Sequence, residues 1–245
     1  MAIAAACTGF ATIVGWSLDL SWLKIVRPGT TPMALNTALC FILGGAALAL
    51  LGSAHPSRSR HWIAILCALT VSSIGGLTIL KYWPGWDVGV ERPLLRLLAF
   101  AAPTSDAGRM APTTAACLVL AGLALLLLAL DRYPFLAQSL AVAVWLVGGM
   151  AVLGYIYRLS HLYQVAQYKP MAVNTAVAFM LLTSGLLAVR ADIGWVAFFM
   201  GKRVGSVMAR QLVPLGIAAH VVIGWLRLLA QRAGFIDVTL GVALT

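Results

Sequence analysis

The chain is a succession of long apolar runs separated by short polar or aromatic connections, and none of the runs alternates apolar with polar residues as a half-buried strand would. An open sheet edge could not satisfy its backbone groups in lipid either, so the pattern predicts helices. A hydrocarbon core of about 30 Å is crossed by roughly 20 apolar residues of helix. Eight runs fit that template, at residues 1–16, 34–51, 62–80, 112–130, 135–155, 172–189, 207–229 and from 238 onward. The first lacks the charged start and cleavage site of a signal peptide and is read as a true span. The last stops at Thr245 after about eight residues, so the natural polypeptide is expected to continue through this span, or a neighbouring subunit to cover the terminus.

The runs are related to one another. Pro32-Met33-Ala34-Leu35-Asn36-Thr37-Ala38 recurs as Arg109-Met110-Ala111-Pro112-Thr113-Thr114-Ala115 and as Pro170-Met171-Ala172-Val173-Asn174-Thr175-Ala176, each time opening an apolar run. A glycine followed by an aromatic residue occurs at Gly15-Trp16, Gly85-Trp86, Gly154-Tyr155 and Gly224-Trp225, with separations of 70, 69 and 70 residues. The unit these marks define is a helical hairpin: an odd span, an aromatic loop, and an even span entered through the Met-Ala box. Four such hairpins, at about 1–52, 61–130, 135–190 and 207–245, give about eight transmembrane helices in a single all-α integral membrane domain covering 1–245; the fourth lacks the box. A two-span unit returns the chain to its starting side, so the aromatic loops all lie on one face, as in parallel rather than inverted repeats.

Composition sharpens this picture. Apolar residues make up 62% of the 245 and charged residues only 10%, well outside the range of water-soluble domains. Seventeen Lys and Arg against seven Asp and Glu leave a net charge of +10, read here as topology signal and lipid contact. No basic stripe with interleaved aromatics points to nucleic acid. The Arg58/Arg60 turn and the Lys202/Arg203/Arg210 group are read as cytoplasmic anchors, which puts the aromatic loops outside. The four cysteines stand singly in apolar runs and read as small packing residues.

Candidate chemistry is sparse. Pro112, at the first position of its run, marks the repeated box as a helix start. Asn36, Thr37, Thr113, Thr114, Asn174 and Thr175 then fall in first turns, where free N–H groups and side-chain oxygens coexist and three positive dipole ends face the same side. They are either the elements of a polar or anionic ligand site or capping and inter-helix hydrogen bonds. Among the loop charges, Asp19, Asp87 and Arg158 follow the glycine-aromatic marks closely, and with His161 and Arg227 they are candidates for an exofacial pocket; the alternative is snorkelling to headgroups. His220 is the one histidine inside a span, a packing residue or, in the sharper reading, a pigment or haem ligand. No GxSxG, HExxH or P-loop is present, and neither catalysis nor a cofactor is predicted.

Taken together, Gly15-Trp16 with Asp19 and Trp22, the three boxes, Gly85-Trp86-Asp87, Gly154-Tyr155, Arg210-Gln211-Leu212-Val213-Pro214 and Gly224-Trp225-Leu226-Arg227 resemble the N-terminal multi-pass membrane input domain of bacterial sensor histidine kinases and diguanylate cyclases. Thr113 in place of the Asn of the other boxes, and Glu91-Arg92 in the second loop, depart from the pattern. The resemblance implies a non-catalytic sensory domain in a bacterial inner membrane, with the lipid bilayer and a membrane protein or a second copy as partners. The reading from a different class is an accessory subunit packed in a larger photosynthetic or respiratory complex.

Overall fold

The computed structural model describes residues 1–24, 30–53, 57–82, 110–157, 169–201 and 204–232. Among them every regular element is a helix: α1 (Ala2–Ser17), α2 (Ser21–Lys24), α3 (Leu35–Leu51), α4 (Arg58–Lys81), α5 (Pro112–Ala129), α6 (Pro134–Tyr157), α7 (Val173–Val189), α8 (Gly194–Met200) and α9 (Val204–Arg232). The protein is a multi-pass helical membrane protein: α4, α5, α6 and α9 are long and apolar enough to cross a bilayer, and α7 with α8 qualifies as a bent fifth span. Helices α1 and α3, with 16 and 17 residues, are apolar but shorter. The chain divides into two compact units, Met1–Trp195 and Val196–Thr245.

The first unit holds three helix pairs, α1 with α3, α4 with α5, and α6 with α7, and these make its most extensive contacts. The second members α3, α5 and α7 also touch one another, while the first member of each pair leans on the second helix of another pair: α1 on α7, α4 on α3, α6 on α5. The result is an inner trio ringed by an outer trio, with approximate three-fold symmetry that follows from the triplicated sequence. Equivalent positions stack in layers along the inner trio. Phe41, Leu118 and Phe179 are each fully buried, with Phe41 and Phe179 edge to face at 4.8 Å, and Leu48, Leu125 and Leu186 form a buried layer further along.

What lets the pairs close is glycine against alanine. A Cβ built on Gly75 would stand 2.8 Å from the Ala115 carbonyl oxygen and one on Gly148 3.0 Å from that of Ala176; one on Gly9 would run into the Ala38 oxygen. These three alanines are the last residues of the three boxes. Seven residues further along α3 and α5 the roles reverse, and Gly45 and Gly122 meet the backbone oxygens of Ala2 and Ala68. Between apolar helices in lipid there is little hydrophobic driving force, so close backbone approach through small residues is what stabilises the pair. The large apolar side chains go outward instead. Ile3, Phe10, Trp62, Leu66, Phe135 and Leu146 are exposed on the outer helices, a surface suited to acyl chains and not to water.

The second hairpin corrects the sequence register. The aromatic residue seven positions after the contact glycine is Trp16 in the first hairpin and Tyr155 in the third, and in the second it is Tyr82, four residues before Trp86. The Gly85-Trp86 mark lies outside the described residues, and its even spacing from the others is not the structural repeat. The stretch between the runs ending at 189 and beginning at 207 is not a plain connection and contains α8. Its start is built on Gly194, at φ 75°, against which the Gln138 amide packs too closely for any Cβ. Gln138 donates to the carbonyls of Arg190 at 3.0 Å and Ile193 at 2.9 Å, closing the turn. Helix α4 begins at Arg58, earlier than the apolar run, because Ser57 caps it by accepting from the Arg60 N–H at 3.4 Å. The eighth expected span, from 238, lies outside the described residues.

Adjacent glycines provide a test. Gly75 faces the Ala115 carbonyl, whereas nothing lies within 4 Å of a Cβ on Gly76. Gly75→Val should destabilise the folded protein by about 1–3 kcal/mol through overpacking, while Gly76→Ala should be neutral or stabilise by roughly 0.5–1 kcal/mol. Thermal unfolding in mild detergent reads both; equal effects at the two positions would remove the close-approach account.

Candidate functional site

The three boxes adopt one conformation. Their N-cap residues Ala34, Ala111 and Ala172 have φ/ψ of −72/149°, −66/145° and −70/150°, and in each case the N-cap carbonyl accepts from the N–H of the box alanine four residues on, at 3.0 Å. The expected helix starts therefore stand where the boxes place them, with Asn36, Thr113 and Asn174 second and Thr37, Thr114 and Thr175 third in their helices. None of the three N-caps has a side-chain hydrogen bond, since alanine has no group to offer. Each first turn thus keeps N–H groups that the helix itself cannot satisfy.

The residue before each N-cap is a fully packed methionine, Met33, Met110 or Met171, and its carbonyl is taken by an aromatic side chain at the end of the paired outer helix. Trp16 Nε1–H donates to Met33 O at 2.9 Å, and the hydroxyls of Tyr82 and Tyr155 donate to Met110 O and Met171 O at 2.6 Å. These bonds tie the C-terminal end of α1, α4 and α6 to the N-terminal start of α3, α5 and α7. All three box ends consequently lie together at one end of the unit, referred to below as the apex.

At the apex the boxes surround a small cavity of about 10 Å³, room for a single atom-sized occupant. Thr37, Thr114 and Thr175 line it, with Lys169 and the backbone of the Met-Ala segments. The three threonines are 2–3% exposed. Their hydroxyls make no hydrogen bond among the described residues and open on the cavity. The candidate residues at the second helical position divide from them: Asn36, Thr113 and Asn174 do not line the cavity. Asn36 Oδ1 and Thr113 Oγ1 are buried without a partner, whereas Asn174 Oδ1 accepts from the Thr175 N–H at 3.2 Å, a local capping bond.

Asp19 is exposed just beyond α1, at φ 54°, and is not part of the apex lining. Asp87, Arg158 and His161 lie outside the described residues, and Arg227 falls within α9 in the second unit. His220 is on an exposed face of α9, and its Nδ1–H donates to the Gly216 carbonyl one turn back at 2.8 Å, rather than to a neighbouring helix. Among the described residues no three His, Cys, Asp or Glu side chains group as a metal site.

Two features escaped the sequence reading. Lys169 reaches the apex because it directly precedes Pro170 of the third box, and its position beside the motif was the available signal. The other is a cavity of about 200 Å³ at the opposite ends of the inner helices, walled by Leu51, Leu128 and Val189 with His61, Asp131 and Arg190 at its edge. Arg190 Nη2 and Asp131 Oδ1 are 2.6 Å apart there, but both are partly exposed, so the pair contributes about 0–1 kcal/mol. His61 is half-buried beside it.

No family profile, no curated protein and no solved structure matches the chain, so function is argued from the geometry and from the motifs themselves.

If the aromatic-to-carbonyl bonds position the apex, Tyr155→Phe should cost about 0.5–1.5 kcal/mol in unfolding free energy, and Tyr82→Phe a similar amount. Urea-dependent unfolding in detergent reports this. Substitution of the half-exposed outer residue Met150 by Leu serves as the control and should leave the midpoint unchanged.

Proposed function

We propose that this chain is a membrane-embedded input domain for bacterial signal transduction, without catalysis of its own, whose apex meets the stimulus. One observation carries the reading: the repeated Met-Ala box is brought together three times at one end of an apolar bundle, with the hydroxyls of Thr37, Thr114 and Thr175 making no hydrogen bond among the described residues where they line a cavity. Packing alone does not call for three equivalent hydroxyls turned to one cavity. The resemblance of the boxes and glycine-aromatic marks to bacterial input domains supports the same reading.

A route for the signal is present in the packing. An occupant that binds the apex differently in two arrangements of the inner helices shifts their balance, and helices in backbone contact at Gly9, Gly75 and Gly148 slide or rotate as bodies and do not deform smoothly. The accessory-subunit reading has its own support in α9, where Leu212, Leu215 and Trp225 are all exposed and offer an apolar face to a partner.

Joining residue 245 to a cytoplasmic cyclase or kinase reporter separates the two. The input reading expects Thr114→Val to change reporter output by about fivefold or more at equal membrane abundance, the usual scale of coupling between sites. Unchanged output for substitutions at Thr37, Thr114 and Thr175 alike, with a stoichiometric complex recovered in mild detergent, would favour the accessory subunit.

The proposal includes an orientation, with the apex and aromatic loops outside a bacterial inner membrane and the Arg58/Arg60 turn in the cytoplasm. In a variant lacking the native cysteines, Gln167→Cys should react with an impermeant thiol reagent in intact cells and Ser57→Cys should not. The reverse labelling would invert the orientation.

A further inference from the structure

The geometry points to a small anion as the occupant of the apex: a halide, or one oxygen of a phosphate, held by the hydroxyls of Thr37, Thr114 and Thr175. This rests on the apex being the input site and names the chemistry of what it takes.

Three independent features agree on the sign of the charge. The starts of α3, α5 and α7 converge, and each helix start carries roughly half a positive charge. Their N-caps are alanines, so no N-cap side chain takes up the free N–H groups as Ser57 does for α4, although in α7 Asn174 Oδ1 takes one of them, that of Thr175. Lys169 adds a formal positive charge to the lining, and among the described residues no Asp or Glu lines the cavity.

The hydroxyls then decide that the feature is a site and not merely three helix ends. Thr37, Thr114 and Thr175 are almost wholly buried, make no hydrogen bond among the described residues, and face a void of about 10 Å³. A threonine in the first turn of a helix commonly spends its hydroxyl on the backbone. Here three equivalent threonines leave theirs free toward one point. Three O–H donors around one atom suit an acceptor that takes several hydrogen bonds at once, which a halide or a phosphate oxygen does and a cation does not. The size of the void excludes a whole organic acid inside it. A free anion can enter it, and so can one oxygen of a phosphate, including a lipid phosphodiester, whose bulk stays outside.

The experiment measures binding through melting, independently of signalling, so its failure and a failure of the reporter test are distinguishable. The purified full chain in neutral detergent is melted in sodium bromide, in inorganic phosphate and in gluconate at matched ionic strength. It is then melted in nanodiscs of zwitterionic lipid, with and without phosphatidylglycerol, in gluconate. A free-anion site raises Tm saturably in bromide or phosphate over gluconate; a lipid-headgroup site raises it only in the discs containing phosphatidylglycerol. In either case Thr114→Val should weaken the half-saturating concentration roughly tenfold or more, the effect of losing a hydrogen bond to a charged group, and Thr114→Ser should restore it. Thr37→Val and Thr175→Val are the parallel variants should one of the three fold poorly. Equal Tm in all conditions, or a shift that all three valine variants leave untouched, overturns the proposal and leaves the void to water.

Discussion

Everything in the first unit depends on the approach of a glycine in each outer helix to the backbone oxygen of an alanine in its partner. Lipid tails are as apolar as leucine, so a membrane protein gains little by hiding leucine from them. Contact between backbones, which requires the absence of a side chain, is what distinguishes the right neighbour from the bilayer. Gly9, Gly75 and Gly148 supply it in the three hairpins, opposite Ala38, Ala115 and Ala176. Small residues therefore collect between the helices, and residues such as Phe10, Trp62 and Leu146 face outward.

The polar apex is a consequence of the same contact. The alanine that receives the glycine is the last residue of the box, and the threonine immediately before it turns toward the shared axis. Close pairing at one residue thus sets the rotation of the whole inner helix and delivers Thr37, Thr114 and Thr175 to one cavity. The aromatic bonds to Met33, Met110 and Met171 complete the arrangement by fixing where each inner helix starts. Packing and chemistry share a handful of consecutive residues, and so the motif is short.

The repeats tolerate drift outside the contact of the outer glycine with the box alanine, even at the second close approach seven residues further along. Thr183 stands where Gly45 and Gly122 stand in the other hairpins, and its hydroxyl bonds back to the Phe179 carbonyl at 2.7 Å. Tyr82 replaces the tryptophan of the first hairpin and still donates to the methionine carbonyl, because the requirement is a donor at that reach and not a particular ring. Thr113 replaces asparagine at a position outside the cavity lining.

Hydropathy, the three boxes and Pro112 were enough to establish an all-helical bundle of membrane character, three of the four expected helix pairs and the starts of α3, α5 and α7, because span length and helix initiation are local properties of consecutive residues. The repeat itself was legible, but its register in the second hairpin was not: Gly85-Trp86 matches by identity, whereas Tyr82 matches by its distance from Gly75, and only the facing Ala115 carbonyl shows that Gly75 is the contact glycine. The division of the six box residues into three that line a cavity and three that do not was also invisible, since neighbouring residues in a helix point about 100° apart and the rotation is set by the partner helix. The closing of three hairpins into a ring, the presence of Lys169 at its apex and the cavity beside Asp131 and Arg190 likewise belong to tertiary structure, because they join residues far apart in the chain through contacts that no local stretch specifies.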